Sequence, residues 1–67
     1  MITLPAKALE QLETIRQSGQ TNMLDYNMVH RLAYDNASYD LVVWMASNKD
    51  EYAKGIFEGF QSEEETE

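Results

Sequence analysis

His30 is the one histidine in the chain and the side chain best suited to acid–base chemistry near neutral pH. At helical spacing, the nearest side chain that could assist it is Tyr34, four residues further on. The sequence contains no Gly-rich phosphate loop, no HExxH pattern and no nucleophile elbow. A lone histidine in a helical segment is more often structural than catalytic, so the sequence predicts a protein that is not an enzyme.

Five carboxylates are the remaining candidates for chemistry, as ligands of a divalent cation: Asp25, Asp35, Asp40, Asp50 and Glu51. Their spacing does not match an EF-hand loop, and Asp25 and Asp50 stand where they could cap helices. With no cysteine and a single histidine, the chain cannot form a cysteine or multi-histidine zinc site by itself. We therefore expect neither a metal ion nor a cofactor.

Aromatic side chains exceed what one small core can hold, since the 67 residues include one Trp, four Tyr and two Phe. Most of them are expected to serve in packing. Tyr and Trp are also enriched at binding hot spots, because they bury a large area at low entropy cost. A few of these aromatics are therefore expected to form a surface that binds a partner. The candidate residues are Trp44 first, with Val43, Tyr39 and Tyr52.

Four segments show the apolar spacing of short amphipathic helices, which would position these residues. The sequence predicts an all-α fold: a compact bundle of three to four short helices in a single domain over residues 1–61. The acidic end, residues 62–67, is predicted to be a disordered tail. The predicted helices cover residues 4–18, 26–36, 39–48 and 51–61. The residues placed to cap them are Thr3, Asp25 or Asn22, Ser38, and Asn48 or Asp50.

The longest unbroken apolar run, Leu41–Ala46, lies in the third predicted helix. The β-branched Val42 and Val43 also permit a strand, but no second convincing strand is present to pair with it. On a helix, this run is apolar around most of the circumference. Val43 and Trp44 are expected to point away from the core. The residues expected to face the core are Leu41, Met45, Asn48, Val42 and Ala46.

The fourth predicted helix carries an apolar stripe at Ala53, Ile56, Phe57 and Phe60. Gly55 and Gly59, four residues apart, have two interpretations. They are either tolerated surface glycines or the site of close approach by another helix.

Charge and hydropathy narrow the class of partner. The net charge is −7, from five Lys and Arg against twelve Asp and Glu, and four of the acids lie in the last five residues. The cations are scattered, whereas phosphate backbones require clustered Lys and Arg, so we expect no direct nucleic-acid binding. The apolar run is too short to span a bilayer, and no targeting segment is visible. We expect no membrane contact and a cytoplasmic location in a host cell.

One set of residues resembles a family in its order and spacing. The set runs through most of the chain, from about residue 8 to residue 59: Gly19, Thr21-Asn22-Met23, Asp25, Val29, Leu32-Ala33, Tyr39-Asp40-Leu41-Val42, Tyr52 and Gly59. It is similar to a small family of unknown function found in phages and mobile elements of Gram-positive bacteria. The resemblance implies a phage or prophage origin and supplies no activity and no catalytic residue.

Three functional hypotheses follow. The first is a small phage-encoded binder that inhibits a host protein, for example a nucleic-acid-handling or defence protein such as a CRISPR nuclease, whose basic channel would accept an acidic face. The second is an oligomeric module that binds a nucleotide signal. The third is a structural homodimer without a separate activity. Self-association is itself expected, because the chain is small and its third helix is apolar all round.

Overall fold

The structure is a computed structural model that describes residues 1–63. Within that range the chain forms an all-α bundle, as predicted, together with one pair of short strands. The elements in order are β1 (Ile2–Leu4), α1 (Ala6–Ser18), α2 (Tyr26–Asp35), α3 (Tyr39–Ser47), α4 (Lys49–Glu58) and β2 (Phe60–Ser62). No helix among these residues is both long and apolar enough to cross a membrane. Of the predicted acidic tail, 62–67, residues 64–67 lie outside the described residues.

The strands β1 and β2 are the main departure from the predicted fold. They pair in parallel, with Ile2 opposite Phe60 and Leu4 opposite Ser62. Ser62 is therefore a buried strand residue and does not begin a tail. Thr3 does not cap α1, because it lies in β1, where its hydroxyl accepts a hydrogen bond of 2.9 Å from the Gln61 amide. Strands of three residues are too short to show an alternating pattern in the sequence.

The helix boundaries follow the predicted signals in three places. Gly19 ends α1 in the left-handed conformation, with φ of 67°. Asp25 caps α2, since its carboxylate accepts a hydrogen bond from the Met28 backbone N–H at 3.2 Å. Asn48 precedes α4, which starts and ends earlier than predicted. Helix α4 ends because Gly59 turns the chain into β2. Gly59 has φ of 94°, a backbone conformation that favours glycine.

The core lies between α1, α2 and α3, with β1 and Tyr52 of α4 closing one end. Packing these helices together removes their apolar stripes from water, which is the main favourable contribution to folding. The third helix is central, because it packs against both α1 and α2. The buried hydrophobic side chains are Ile2, Leu4, Ala8, Leu12, Ile15, Val29, Ala33, Leu41, Trp44, Met45 and Tyr52.

The predicted apolar stripe of α4 is wrong in part, since Ile56 and Phe60 pack against the core but Ala53 and Phe57 do not. Phe57 is 81% exposed and Ala53 is also exposed, whereas Tyr52 and Gly55 are buried. The reason is Phe60, which leaves the helix, enters β2 and folds its ring back over Gly55. A Cβ at Gly55 would overlap that ring. Close approach at Gly55 is thus confirmed, but by a side chain and not by another helix.

Gly55→Ala should destabilise the protein by about 1–3 kcal/mol, because the added methyl overpacks a filled site. At an ordinary exposed helical position, the same change would stabilise the protein by about 1 kcal/mol. The sign of the change in unfolding free energy therefore distinguishes a packed Gly55 from an exposed one. The measurement is the midpoint of urea unfolding. The control is Gly55→Ala in a Phe60→Ala background, where the ring is absent and the change should no longer be unfavourable. A stabilised single variant would contradict this packing.

Candidate functional site

The N-terminal end of α3 is positioned by a side chain of another helix. The Leu41 backbone N–H donates a hydrogen bond of 3.0 Å to Oε1 of Gln11, which lies on α1. The first N–H groups of a helix have no partner within it, so this contact serves as a cap. Ser38 occupies the N-cap position, as predicted, but its side chain makes no capping hydrogen bond.

The C-terminal end of α3 is held in the same way. The Tyr26 hydroxyl of α2 donates to the Met45 carbonyl at 2.9 Å, and the Asn48 amide donates to the Trp44 carbonyl at 2.9 Å. Both acceptors lie in the last turn, where carbonyl groups have no partner within the helix. Hydrogen bonds at both ends thus fix the rotation of α3 about its axis and decide which of its residues face solvent.

That rotation divides α3 into an inner and an outer face. Leu41, Trp44 and Met45 face the core, whereas Tyr39 and Val43 are 55% and 66% exposed. Val42 is half-buried and Ala46 is exposed. The prediction that Tyr39 and Val43 are available to a partner is thus consistent with the structure, but two other expectations are wrong. Ala46 does not face the core, and Trp44 does not point away from it.

Trp44 is only 9% exposed because Phe60 covers it. The two rings meet edge to face, with centroids 6.2 Å apart. This covering surface comes from β2, the strand that the sequence did not reveal. Trp44 therefore serves the packing of α3 against the C-terminal segment, and its ring is not presented to a partner.

Tyr52 is also buried, at 2% exposure, and so does not line a surface as predicted. Its hydroxyl donates a hydrogen bond of 2.6 Å to the Met23 carbonyl, which ties α4 to the connector between α1 and α2. Burial raises the pKa of Tyr52 to about 12, and the nearby Asp25 carboxylate contributes a smaller part of the increase. Both causes disfavour the charged phenolate.

Tyr34 joins the outer face of α3 from the end of α2. It is 61% exposed, and its ring meets Tyr39 edge to face with centroids 5.9 Å apart. The sequence suggests Tyr34 only as a partner for His30, and it does not predict the contact with Tyr39. We use the name α3 surface for the exposed apolar residues Tyr34, Tyr39, Val43 and Ala46 together with the half-buried Val42 beside them.

The corner between α2 and α3 sets the position of Tyr34 against Tyr39. The Ser38 N–H donates to the Ala33 carbonyl at 2.8 Å, and the Ala37 N–H donates to the Tyr34 carbonyl at 3.0 Å. This pair of bonds is a Schellman motif, which usually places glycine where Ala37 stands. Ala37 has φ of 57°, a left-handed conformation that costs a non-glycine residue on the order of 1 kcal/mol.

Charge is sparse on the α3 surface and lies at its edge. Asp40 is the one charged residue of α3 and is exposed outside the apolar stripe. On α2, the Arg31 guanidinium pairs with the Asp35 carboxylate at 3.8 Å, both exposed at the i,i+4 spacing. An apolar patch with a charged margin suits protein binding better than phosphate binding.

Elsewhere in the described residues, no comparable chemical site is built. His30 Nε2 is buried without a hydrogen-bond partner, so a substrate cannot reach this atom. Among residues 1–63, no three His, Asp or Glu side chains are grouped to hold a metal ion. An apolar groove of about 350 Å³ lies between α1 and α4, and the one cationic side chain that lines it, Arg16, is paired with Glu13. The groove therefore offers little to a nucleotide phosphate.

Stability at high pH should depend on Tyr52. Because its pKa rises from 10.0 to about 12 on folding, the folded state holds the phenol proton more tightly. The phenol's contribution to the free energy of unfolding is complete below pH 10 and is lost as the pH rises through about 12. Relative to Tyr52→Phe, the unmodified protein should lose about 1–2 kcal/mol of unfolding free energy over that interval. Urea unfolding at several pH values measures the difference.

Tyr34→Phe provides the matched control, since it removes an exposed phenol and should follow the unmodified protein across the same pH range. At neutral pH, Tyr52→Phe should cost about 1 kcal/mol, because the Met23 carbonyl loses its donor. Parallel pH curves for the unmodified protein and Tyr52→Phe would contradict the account of this phenol.

The match to a known family covers most of the chain. Residues 6–60 match a family described as a domain of unknown function, DUF5049. No curated protein matches the chain, and no solved structure matches it. The matched range runs from the first residue of α1 to the first residue of β2 and includes the whole α3 surface. The chain therefore belongs to the DUF5049 family of domains of unknown function.

Proposed function

We propose that this protein is a protein-interaction module that binds a partner protein through the α3 surface. The observation that carries the proposal is the exposed apolar face of α3, on the helix that the rest of the bundle holds in place. Contiguous apolar patches of a few hundred Å² on monomeric domains are often functional. Within the described residues, Tyr39 and Val43 on this face remain exposed.

The composition of the surface supports a binding role. Tyr34 and Tyr39 present two rings in an edge-to-face pair, and Val43 continues the same face one turn further along α3. Tyrosine side chains lose little conformational entropy when they bind, and they are frequent at hot spots. The rigid corner at Ala37 holds the pair in place, which lowers the entropy cost of binding further.

The nature of the partner follows from charge. The chain carries a net charge of −7, and Asp35 and Asp40 stand at the edge of the α3 surface. A partner with an apolar contact site and a basic rim is the best electrostatic match. We propose that this partner is a host protein that handles nucleic acid or acts in defence, and that the module inhibits it. This proposal includes a phage or mobile-element origin, which rests on the family resemblance, and action in the host cytoplasm.

Val43→Asp should abolish capture of the partner, because it places a charge in the centre of the apolar face. The experiment is a pull-down from host lysate with the tagged full chain. We expect a discrete protein that the unmodified chain recovers and the variant does not. Loss of a central hot-spot residue typically weakens binding by at least about 2 kcal/mol, or roughly 30-fold.

Phe57→Asp is the matched control, because Phe57 is an apolar side chain on α4 that is even more exposed than Val43. It should leave capture unchanged, and both variants should keep the thermal unfolding of the unmodified chain to within a few degrees, since exposed substitutions alter stability little. If the chain recovers no discrete protein, or if Val43→Asp retains it, the proposed function is wrong.

A further inference from the structure

We infer that a second copy of this chain packs on the α3 surface, with the two α3 helices antiparallel and related by a two-fold axis between Val42 and Val43. The inference rests on the proposed function in that it uses the same surface. It goes further by specifying what binds there, in which orientation and in which register. Three features of α3 support it.

The first feature is the spacing of the apolar residues on the outer face of α3, among which Val42 is half-buried. Tyr39, Val42, Val43 and Ala46 stand at positions i, i+3, i+4 and i+7. This spacing forms one stripe along a helix, the arrangement by which helices pack side by side. Leu41 and Met45 use the opposite side of α3 to reach the core of their own subunit. The helix thus carries two packing faces, and residues 1–63 fully cover only the inner one.

The second feature is that the stripe complements itself when it is reversed. In an antiparallel pair centred between residues 42 and 43, Val42 of each copy lies opposite Val43 of the other. Tyr39 then lies opposite Ala46 of the second copy. Each large ring therefore meets a small side chain, which is the alternation that closely packed interfaces require. A symmetric dimer needs this self-complementarity, because both copies use the same patch.

The third feature is charge. Two copies of a chain with net charge −7 repel each other unless they approach by a face without carboxylates. Asp40 is the single charged residue of α3, and it lies outside the stripe, whereas α1 carries four charged residues and α4 carries five. With Arg31 and Asp35 on α2, α3 carries the fewest charged residues of the four helices, and its stripe places no carboxylate at the centre of the contact.

The area of the α3 surface sets the strength of the pair. Tyr34, Tyr39 and Val43 together expose on the order of 300 Å² of apolar surface in each copy, so two copies cover about 600 Å². Stable complexes bury at least about 1,200 Å². The dimer is therefore weak and exchanges quickly with the monomer, and a partner protein can displace the second copy from the surface.

Sedimentation of the full chain over a concentration series tests the self-association. We expect the average mass to rise from one copy at low micromolar concentration towards two copies near millimolar concentration. Val43→Asp should remain monomeric throughout, and Phe57→Asp should follow the unmodified chain. A monomer at every concentration, or dimerisation that Val43→Asp leaves intact, would overturn the inference.

The register can be tested by disulfide formation, because the chain contains no cysteine and one introduced thiol is unique. In the antiparallel pair, the two copies of residue 43 lie about 1.5 Å apart along the helix axis, whereas the two copies of residue 46 are offset by about 10.5 Å. A disulfide cannot join Cα atoms more than about 7 Å apart. Under mild oxidation, Val43→Cys should give a covalent dimer and Ala46→Cys should not. Efficient dimer formation by Ala46→Cys would indicate parallel helices and overturn the proposed orientation.

Failure of this inference can be separated from failure of the proposed function. A chain that stays monomeric but loses its lysate partner with Val43→Asp would overturn the dimer and leave the proposed function in place. A chain that dimerises through residue 43 but recovers no partner would support the dimer and overturn the proposed function.

Discussion

The rotation of α3 about its own axis is the constraint on which the rest of the structure depends. Gln11 fixes one end of this helix through the Leu41 N–H, and Tyr26 fixes the other through the Met45 carbonyl. These are side-chain hydrogen bonds from α1 and α2 to backbone groups that a short helix cannot satisfy internally. With both ends held, α3 contributes one face to the core and presents the opposite face to solvent.

The sequence predicted the helices well because their signals are local. The Asp25 cap, the left-handed Gly19 and the apolar run of α3 each act within a few residues. It failed where residues far apart in the chain meet. The pairing of Ile2 with Phe60 leaves no pattern in either three-residue segment, yet it brings the Phe60 ring over both Gly55 and Trp44. This one undetected contact thus accounts for the burial of Gly55 on α4 and for the ring that covers Trp44.

The candidate site shows the same division between local and long-range information. Tyr39 and Val43 could be proposed from the sequence because an all-round apolar helix must leave some apolar residues uncovered. Tyr34 could not, because its position beside Tyr39 depends on the left-handed turn at Ala37, a residue type that seldom adopts it. The available signal was that Tyr34 and Tyr39 lie close together in the sequence, on either side of the break between α2 and α3. Recognising it required knowing the geometry of that break.

The central claim is that α3 turns Trp44 inward and Tyr39 and Val43 outward. Acrylamide quenching of tryptophan fluorescence tests it most directly, because Trp44 is the single tryptophan of the chain. We expect acrylamide to quench the folded protein far less than the urea-unfolded chain, and the emission of the folded protein to be blue-shifted. Equal quenching in the two states would contradict it. In that case α3 would be rotated by about one residue, with Trp44 in solvent and Val43 nearer the core.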